Sequence, residues 1–254
     1  MKKITVLVSD DHAIVRAGLR ALLDAAEDIE VVGEANDGHE SVRKTQRLQP
    51  EVVILDLAMP LLNGVEATRQ ITTKFPSTKV LILSAHGDEQ HVQQAIGAGA
   101  SGYLTKETAG SSLLQAIREV HKGNGFFNSP AGNVILTRLR KTYSANACPA
   151  KTEATLTSRQ MEILQLVAEG HANKQIAGLL FLSIKTVEKH RQGLMDTLNI
   201  HDTATLTRYA FSTGVVECRP CPPLAQRQPR WLMPVCKPLA PCIGERETSQ
   251  TEQH

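Results

Sequence analysis

Five short apolar runs alternate with helical patterns in the first half of this 254-residue sequence, and this alternation constrains the fold more than any other feature. Short runs rich in β-branched residues, separated by longer helical patterns, are typical of strands in βαβ units. We therefore predict an α/β domain over residues 1–122, in which a doubly wound, flavodoxin-like sheet of five parallel strands has helices on both faces. The predicted strands are ITVLVS, EVVGEA, VVILDL, KVLILSA and GYLTK, and the predicted helices cover residues 13–26, 38–48, 64–75, 89–98 and 110–122.

The sequence changes character twice after residue 122. Residues 123–152 are polar and without an apolar period, which predicts a linker. Residues 153–216 contain four short helical patterns, so we expect a small all-α four-helix domain there. Its first three helices have candidate N-caps, which are Thr157 or Ser158, Asn173 and Ser183. Residues 217–254 hold seven prolines and four cysteines without an apolar period, and we expect a disordered Pro/Cys-rich tail.

Charge separates the two predicted domains, although the whole chain has a net charge of only +2. Residues 1–125 contain 13 Lys and Arg against 16 Asp and Glu, whereas residues 126–216 contain 10 against 6. This asymmetry is consistent with an acidic site followed by a domain that binds a polyanion. No apolar run reaches the roughly 18 residues of a membrane span, and the first run is too short for a signal peptide. We expect a cytoplasmic protein that does not bind membranes.

Polar side chains follow the predicted strands at the edge where parallel sheets place their ligands. Asp10 and Asp11 follow the first strand, Asp56 ends the third, Ser84 closes the fourth and Lys106 follows the fifth. Three carboxylates at one edge repel each other unless a cation compensates them, and Mg²⁺ prefers carboxylate, water and phosphate oxygens. The sequence therefore predicts a Mg²⁺ site with phosphate chemistry.

Each of these residues has an ordinary alternative when it is considered alone. Asp56 could simply begin the turn before Pro60, Ser84 could be a turn former, and Lys106 could be a solvated lysine. Their joint placement at one sheet edge favours a functional site. Two histidines, His12 and His86, flank the site, but they lack the paired spacing of a zinc site and we interpret them as loop residues.

Residues 1 to about 122 resemble the receiver domain of bacterial two-component response regulators. The resemblance rests on the DD pair of VSDDH, on DLAMP, on the serine of LILSAH and on GYLTK, all at the expected strand ends. It implies a phosphoacceptor and its partners, assigned as follows: Asp56 as the phosphoacceptor, Asp10 and Asp11 as Mg²⁺ ligands with the Ala58 carbonyl, Ser84 as the phosphate partner, Lys106 as the ion-pair partner, and Tyr103 as the aromatic side chain whose rotamer reports the switch.

The third helix of the second domain combines an apolar stripe with a polar one. At 100° per residue, Val187, Leu194 and Leu198 share one face with Ile184 nearby. The other face holds the outer stripe, defined as Lys185, Glu188, Lys189 and Gln192. Lys, Gln and Glu side chains can read guanine, adenine and cytosine in the major groove, whereas Arg191 could extend from the packed side to a phosphate. A polar face that merely meets water is the alternative.

The segment from Leu156 to Ile200 resembles the LuxR-type helix-turn-helix, with the elements LT.R..EIL, NKQIA and SIKTVEKH. Together with a receiver, it resembles the NarL/FixJ-type regulators. The resemblance implies a supporting role for the helix at residues 172–180. It also implies that residues 184–198 read DNA and that residues 202–213 serve dimerisation. The expected DNA-binding residues are Lys185, Thr186, Glu188, Lys189, His190, Arg191 and Gln192. Asp196 and Thr197 depart from the usual basic positions, and Gly193 interrupts the reading helix, which predicts a modest affinity for DNA.

These observations predict a transcription regulator that binds DNA and is activated by phosphorylation. The expected partners are a sensor histidine kinase, promoter DNA, RNA polymerase and, after phosphorylation, a second copy of the chain. Two rival functions are a phosphorylated adaptor whose helical domain binds protein and a phosphohydrolase. The second is disfavoured, because aspartate-nucleophile phosphatases place a general acid two residues after the nucleophile, where this chain has Ala58. A metal or redox role for the Cys218–Cys221 pair is disfavoured too, since one CxxC is a weak signal.

Overall fold

The structure is a computed structural model that describes residues 2–85, 87–127 and 156–216 of the chain. The predicted tail, and most of the predicted linker, lie outside these residues. Within the described ranges, no helix combines the length and the apolar character needed to cross a membrane.

The first domain is a parallel sheet between two layers of helices, as predicted. Its strands follow the order β2-β1-β3-β4-β5-β6, and all pairs are parallel. The order reverses direction at β1, so the strand ends of β1 and β3 border a crevice of the type that binds ligands in such sheets. The elements are β1 (Ile4–Ser9), α1 (Ala13–Asp24), β2 (Ile29–Ala35), α2 (Gly38–Leu48), β3 (Val52–Asp56), α3 (Gly64–Lys74), β4 (Lys79–Ser84), α4 (Glu89–Gly97), β5 (Gly102–Thr105), α5 (Lys106–His121) and β6 (Phe126–Phe127).

The prediction of five strands was wrong by one. The sixth strand, β6, contains only Phe126 and Phe127, which pair with Gly102 and Tyr103 of β5. The two rings pack on opposite sides of the sheet, each against one of its two apolar cores. A two-residue strand is too short for a periodicity argument, which is why this segment was included in the predicted linker.

The central strand β3 explains why the sheet is covered on both faces. All five of its residues are buried, and alternate side chains enter different cores. Val52 and Ile54 pack with α1 and α5, whereas Val53 and Leu55 pack with α3 and α4. A strand without a polar face is stable only between two apolar layers.

The second domain contains four helices around one apolar core: α6 (Ser158–Ala168), α7 (Asn173–Leu179), α8 (Ile184–Leu198) and α9 (Thr203–Ser212). The side chains of Thr157, Ser183 and Asp202 cap α6, α8 and α9, and each accepts a backbone N–H in the first turn. The core includes Ile163, Leu166, Ile176, Val187, Leu194 and Leu206.

The prediction that Asn173 caps the second of these helices was wrong. The N-cap residue is Ala172, and its N–H donates to the side chain of Gln175. Asn173 is instead the first helical residue, and its Oδ1 accepts a hydrogen bond from Arg191. A single polar side chain cannot serve both as the cap and as the partner of Arg191, and the tertiary contact prevails here.

Candidate functional site

Three carboxylates lie together at the carboxyl ends of β1 and β3. Asp10 and Asp11 directly follow β1, and Asp56 is the last residue of β3. The two strands are paired neighbours, with Ser9 opposite Leu55, so their ends lie side by side. Ligand atoms from Asp10, Asp11, Asp56 and His12 all lie within 4.8 Å of one another. The carboxylates that the sequence analysis assigned to one sheet edge are therefore close in space.

A glycine allows the next helix to approach this edge. Gly64 begins α3, and a Cβ atom at this position would lie 2.1 Å from the carbonyl oxygen of Asp56. Any other residue would force the β3–α3 loop away from β3. Asn63 caps α3, with its side chain accepting the N–H of Glu66 at 2.9 Å. These two residues fix where the loop after Asp56 returns to regular structure.

Lys106 provides the positive charge of the cluster. Its Nζ donates to Asp10 Oδ2 at 2.8 Å and lies 3.1 Å from Asp56 Oδ2. The side chains of Asp10 and Asp56 are almost completely buried, whereas a quarter of the Lys106 side chain is exposed. One ammonium thus faces two buried carboxylates and cannot neutralise both.

The pKa values reflect this imbalance. Burial raises the pKa of Asp56 to about 6, because the attraction of Lys106 is opposed by the nearby charges of Asp10 and Asp11. Burial lowers the pKa of Lys106, but its hydrogen bond to Asp10 and the charge of Asp56 outweigh burial and leave that pKa above its usual value. The site has an excess of negative charge that a cation would relieve.

His12 lies in the loop between β1 and α1, in agreement with its interpretation as a loop residue, and it also contacts the acidic cluster. Its Nδ1 lies 2.8 Å from Asp11 Oδ1, and its backbone N–H donates to Asp10 Oδ1 at 2.8 Å. The His12 side chain is 60% exposed, whereas Asp10 beside it is buried. Its position directly after the DD pair was the available signal. His86 lies outside the described residues.

The remaining predicted residues occupy the same edge or the strands that lead to it. Ser84 is the buried last residue of β4, and Ala58 is half-buried two residues after Asp56. Tyr103 in β5 is completely buried in the core between the sheet, α3 and α4.

The donor set fits a hard divalent cation. Carboxylate oxygens are the protein ligands that Mg²⁺ prefers, usually one or two together with water and phosphate oxygens. The cluster offers three carboxylates, two of them buried, with ligand atoms within 4.8 Å of one another. Its histidine is exposed and contacts a carboxylate, an arrangement that does not favour a softer metal.

The outer stripe of α8 is open to solvent over its whole length. Lys185, Glu188, Lys189 and Gln192 are all exposed, whereas Val187 and Leu194 are completely buried. The predicted phase of the helix agrees with this burial. Ile184 differs, since it lies at the first turn and is 45% exposed instead of packed. Thr186 and His190 are half-buried beside the stripe.

Arg191 is held by polar side chains of two neighbouring helices. Its guanidinium donates to Asn173 Oδ1 of α7 and, at 3.2 Å, to Thr203 Oγ1 of α9. It connects three helices in this way, and it is half-buried. On the outer stripe, Gln192 donates to Asp196 Oδ1 at 2.8 Å, so one predicted reading residue has an acidic neighbour as its partner.

Comparison with known proteins identifies both domains. Residues 6–118 match the response regulator receiver domain, and residues 154–210 match the luxR family of bacterial regulatory proteins. The transcriptional regulatory protein LiaR of Bacillus subtilis is 40% identical over 213 residues, which cover 84% of this chain and 99% of LiaR. The chain belongs to the NarL/FixJ-type response regulators.

Solved structures of another response regulator have a similar arrangement. RcsB of Salmonella typhimurium, described for its conformational dynamism in DNA interaction, is 27% identical, with a TM-score of 0.54 over 84% of this chain and 99% of RcsB. A structure of an RcsB–DNA complex is 26% identical, with a TM-score of 0.50 over 83% of this chain and 99% of that chain. Both span the receiver and the DNA-binding domain.

Sequence analysis of this response regulator missed a contact between its domains. Gln165 and Glu169, on or next to α6 of the DNA-binding domain, hydrogen-bond to the β3–α3 loop that follows Asp56. The pairs are separated by more than 100 residues, and neither residue belongs to a recognisable motif. Within the sequence, only the polar character of Gln165 in an otherwise apolar helical stripe was a signal.

Proposed function

We propose that Asp56 accepts a phosphoryl group from a sensor histidine kinase and that this modification raises the affinity of α8 for promoter DNA. The observation that supports the first part is the buried Asp56 carboxylate, which lies 3.1 Å from Lys106 and beside two further acidic residues. A structural ion pair would require one carboxylate, and the additional ones have no purpose in stability alone.

The chemistry follows from the positions of these groups. An Asp56 carboxylate oxygen attacks the phosphorus of a phosphohistidine, and the bond to the imidazole nitrogen breaks with its electron pair leaving on that nitrogen. Lys106 neutralises charge on the phosphoryl oxygens, and the Ser84 hydroxyl donates to one of them. Mg²⁺, held by Asp10, Asp11, Asp56 and the Ala58 carbonyl, would supply further positive charge to those oxygens.

Attack requires the ionised form of Asp56. Its pKa of about 6 keeps the carboxylate mostly ionised at neutral pH, and its burial leaves it less solvated than a surface aspartate. The absence of a carboxylate two residues on, at Ala58, removes the general acid that a phosphohydrolase would need. Asp56 is therefore proposed to hold the phosphoryl group as a signal, and the protein is proposed not to be an enzyme.

The second part of the proposal rests on the exposed outer stripe. Lys185 and Lys189 can contact phosphates or guanine, and Glu188 and Gln192 can contact cytosine and adenine edges. Thr186 and His190 flank these residues, and Arg191 links α8 to its two neighbouring helices through hydrogen bonds. The RcsB–DNA complex is a precedent for DNA binding in a protein of this architecture.

Dimerisation would multiply the weak contacts of one half-site. Two copies on one DNA molecule bind with a high effective concentration, which offsets the acidic Asp196 at the end of the reading helix. Residues 202–213, which include α9, are the proposed dimerisation element. A regulator that acts on bacterial promoters works in the cytoplasm, and we include RNA polymerase among its partners on DNA.

A binding experiment with a small phosphodonor tests both parts. The full chain is treated with phosphoramidate and Mg²⁺, its added mass is measured, and its affinity is determined for duplexes selected from a random library. We expect a higher affinity for two half-sites in the phosphorylated wild type, and no response in Asp56→Asn. Equal affinity of protein shown by mass to be phosphorylated would disprove the switch. Absence of any DNA binding would favour the adaptor that binds protein.

A further inference from the structure

The DNA-binding domain holds both ends of the loop that follows the phosphoacceptor. Gln165 Nε2 donates to the carbonyl oxygen of Met59 at 2.9 Å, and the N–H of Asn63 donates to Gln165 Oε1 at 2.7 Å. One amide side chain, 2% exposed, thus bridges two points of residues 57–63. Buried hydrogen bonds of this kind are costly to leave unmade, so they restrict the loop to one conformation.

Glu169 holds the middle of the same loop. The N–H of Leu61 donates to Glu169 Oε1 at 3.2 Å, and Gln165 Nε2 donates to the same oxygen at 2.8 Å. We call Gln165 and Glu169 the loop clamp. Its two side chains form one network with three backbone groups of the receiver domain, and the members of such a network support one another.

The loop contains one residue whose backbone conformation is unfavourable by itself. Leu61 has a φ of 68°, a left-handed conformation that costs a non-glycine residue about 1 kcal/mol or more. Its side chain packs against the core of the DNA-binding domain, while its N–H contacts Glu169. Leu57, Met59 and Leu62 are buried in the core of the receiver domain itself, so the DNA-binding domain adds its support at Leu61, where the backbone is least favourable.

The same arrangement leaves the reading surface open. The four residues of the outer stripe are exposed while the loop clamp is formed. Other contacts between the domains involve the end of α9 and the segment after it, where Gln94 Nε2 donates to Thr213 O at 2.9 Å and Asn63 Nδ2 donates to Val215 O at 3.2 Å. Docking of the domains is therefore compatible with DNA reading by α8.

We propose that the loop clamp positions the β3–α3 loop for metal binding and phosphorylation at Asp56. Ala58 lies between Leu57, which is buried in the core of the receiver domain, and the clamped Met59, so its carbonyl has little freedom. A preorganised ligand binds a cation more tightly than one that must first be ordered. Because coupling between two sites is reciprocal, metal and phosphoryl binding then stabilise the docked arrangement with its open reading helix. This inference rests on the proposed role of Asp56 and the neighbouring ligands.

The test compares three substitutions in the full chain. Gln165→Met keeps the volume but removes the amide, and Gln165→Glu keeps an acceptor for Asn63 while it loses the donor to Met59. Gln70→Met is the matched control, because Gln70 Nε2 contacts Glu162 Oε1 of the same interface at 2.8 Å without contacting the loop. Mg²⁺ alone is titrated by calorimetry, and amide hydrogen exchange is followed in residues 57–63. Thermal unfolding of each variant shows whether the fold is retained.

We expect both Gln165 variants to bind Mg²⁺ about tenfold more weakly, the lower end of what partners of metal ligands contribute. Exchange in residues 57–63 should rise in these variants, and phosphorylation by phosphoramidate should slow. Gln70→Met should retain the wild-type Mg²⁺ affinity. Unchanged affinity in the Gln165 variants, faster phosphorylation, or an equal loss in Gln70→Met would overturn the positioning role. If wild-type Asp56 accepts no phosphoryl group while the Mg²⁺ effect persists, the proposed function fails, and of the inference only the positioning of the loop for metal binding stands.

Discussion

The ammonium of Lys106 lies 3.1 Å from Asp56 Oδ2, although the two residues come from different strand ends of the sheet. Lys106 also donates to Asp10, so its removal leaves two buried carboxylates without a positive neighbour. We expect Lys106→Met to destabilise the metal-free protein by about 2 kcal/mol at pH 7.5, less than a fully buried pair because Lys106 is partly exposed. Urea unfolding in the presence of a chelator measures this loss.

A double-mutant cycle is the control for that prediction. In the Asp56→Asn background, Lys106 faces one buried carboxylate fewer, so its substitution should cost less than in the wild type. Equal losses in the two backgrounds would show that Lys106 stabilises the fold through its aliphatic stem and not through the charge of Asp56.

The raised pKa of Asp56 predicts how its substitution responds to pH. Between the ordinary value of 3.8 and about 6, the folded chain binds a proton at Asp56 that the unfolded chain has lost. Ionised Asp56 therefore lowers stability as pH rises through this window, by at most about 3 kcal/mol for two pKa units. Asp56→Asn should stabilise the metal-free protein at pH 7.5, and the gain should disappear near pH 4. Thermal unfolding across this range measures it, and a gain independent of pH would contradict the assigned pKa.

Much of the site could be predicted from sequence because parallel sheets collect their strand ends at one edge. Asp10, Asp56 and Lys106 each follow or end an apolar run, and the run positions alone placed them together. The orientation of α8 could also be predicted from the sequence, since Val187 and Leu194 are buried and the outer stripe is exposed, as its helical period indicated. Both results follow from the short-range periods of strands and helices.

The contacts that could not be predicted depend on surfaces far apart in the chain. Gln165 reaches a loop more than 100 residues away, and no periodic pattern connects an amide with a backbone carbonyl. The role of Asn173 was misjudged for a similar reason, because Arg191 from another helix takes its side chain oxygen. The rings of β6 were missed because two residues do not establish a period.

His39 of α2 lies near Glu162 and Arg159 of the DNA-binding domain, and its titration should make stability depend on pH. Burial lowers the pKa of His39, against the opposing charges of Glu162 and Asp37, and Nε2 has no hydrogen-bond partner among the described residues. Above its ordinary pKa of 6.5, His39 is neutral in both states. Below that value, the unfolded chain binds a proton at His39 more readily than the folded chain does. Stability therefore decreases as the pH is lowered, until the lowered pKa of the folded chain is reached.

Substitution of His39 separates this effect from other titrations. His39→Leu removes the unpaired Nε2 and should stabilise the chain by about 1 kcal/mol at pH 8, and by more at pH 5.5 where protonation opposes folding of the wild type. The charges of Arg159 and Arg43, which also disfavour the protonated form, are present in both proteins. Chemical unfolding at the two pH values gives the comparison. A variant that is equally or more sensitive to acid would exclude His39 as the cause.

The reading helix provides a prediction that separates binding from folding. Lys189 is exposed on the outer stripe of α8, whereas Val187 is completely buried two residues before it. Lys189→Ala should weaken DNA binding by about 1 to 3 kcal/mol if it contacts a base, and should leave thermal stability unchanged. Val187→Ala should instead destabilise the DNA-binding domain by about 1 to 3 kcal/mol, because it leaves a cavity in the core. Unfolding curves and DNA titrations at one salt concentration distinguish the two effects, and the opposite pattern would mean that α8 presents another face to DNA.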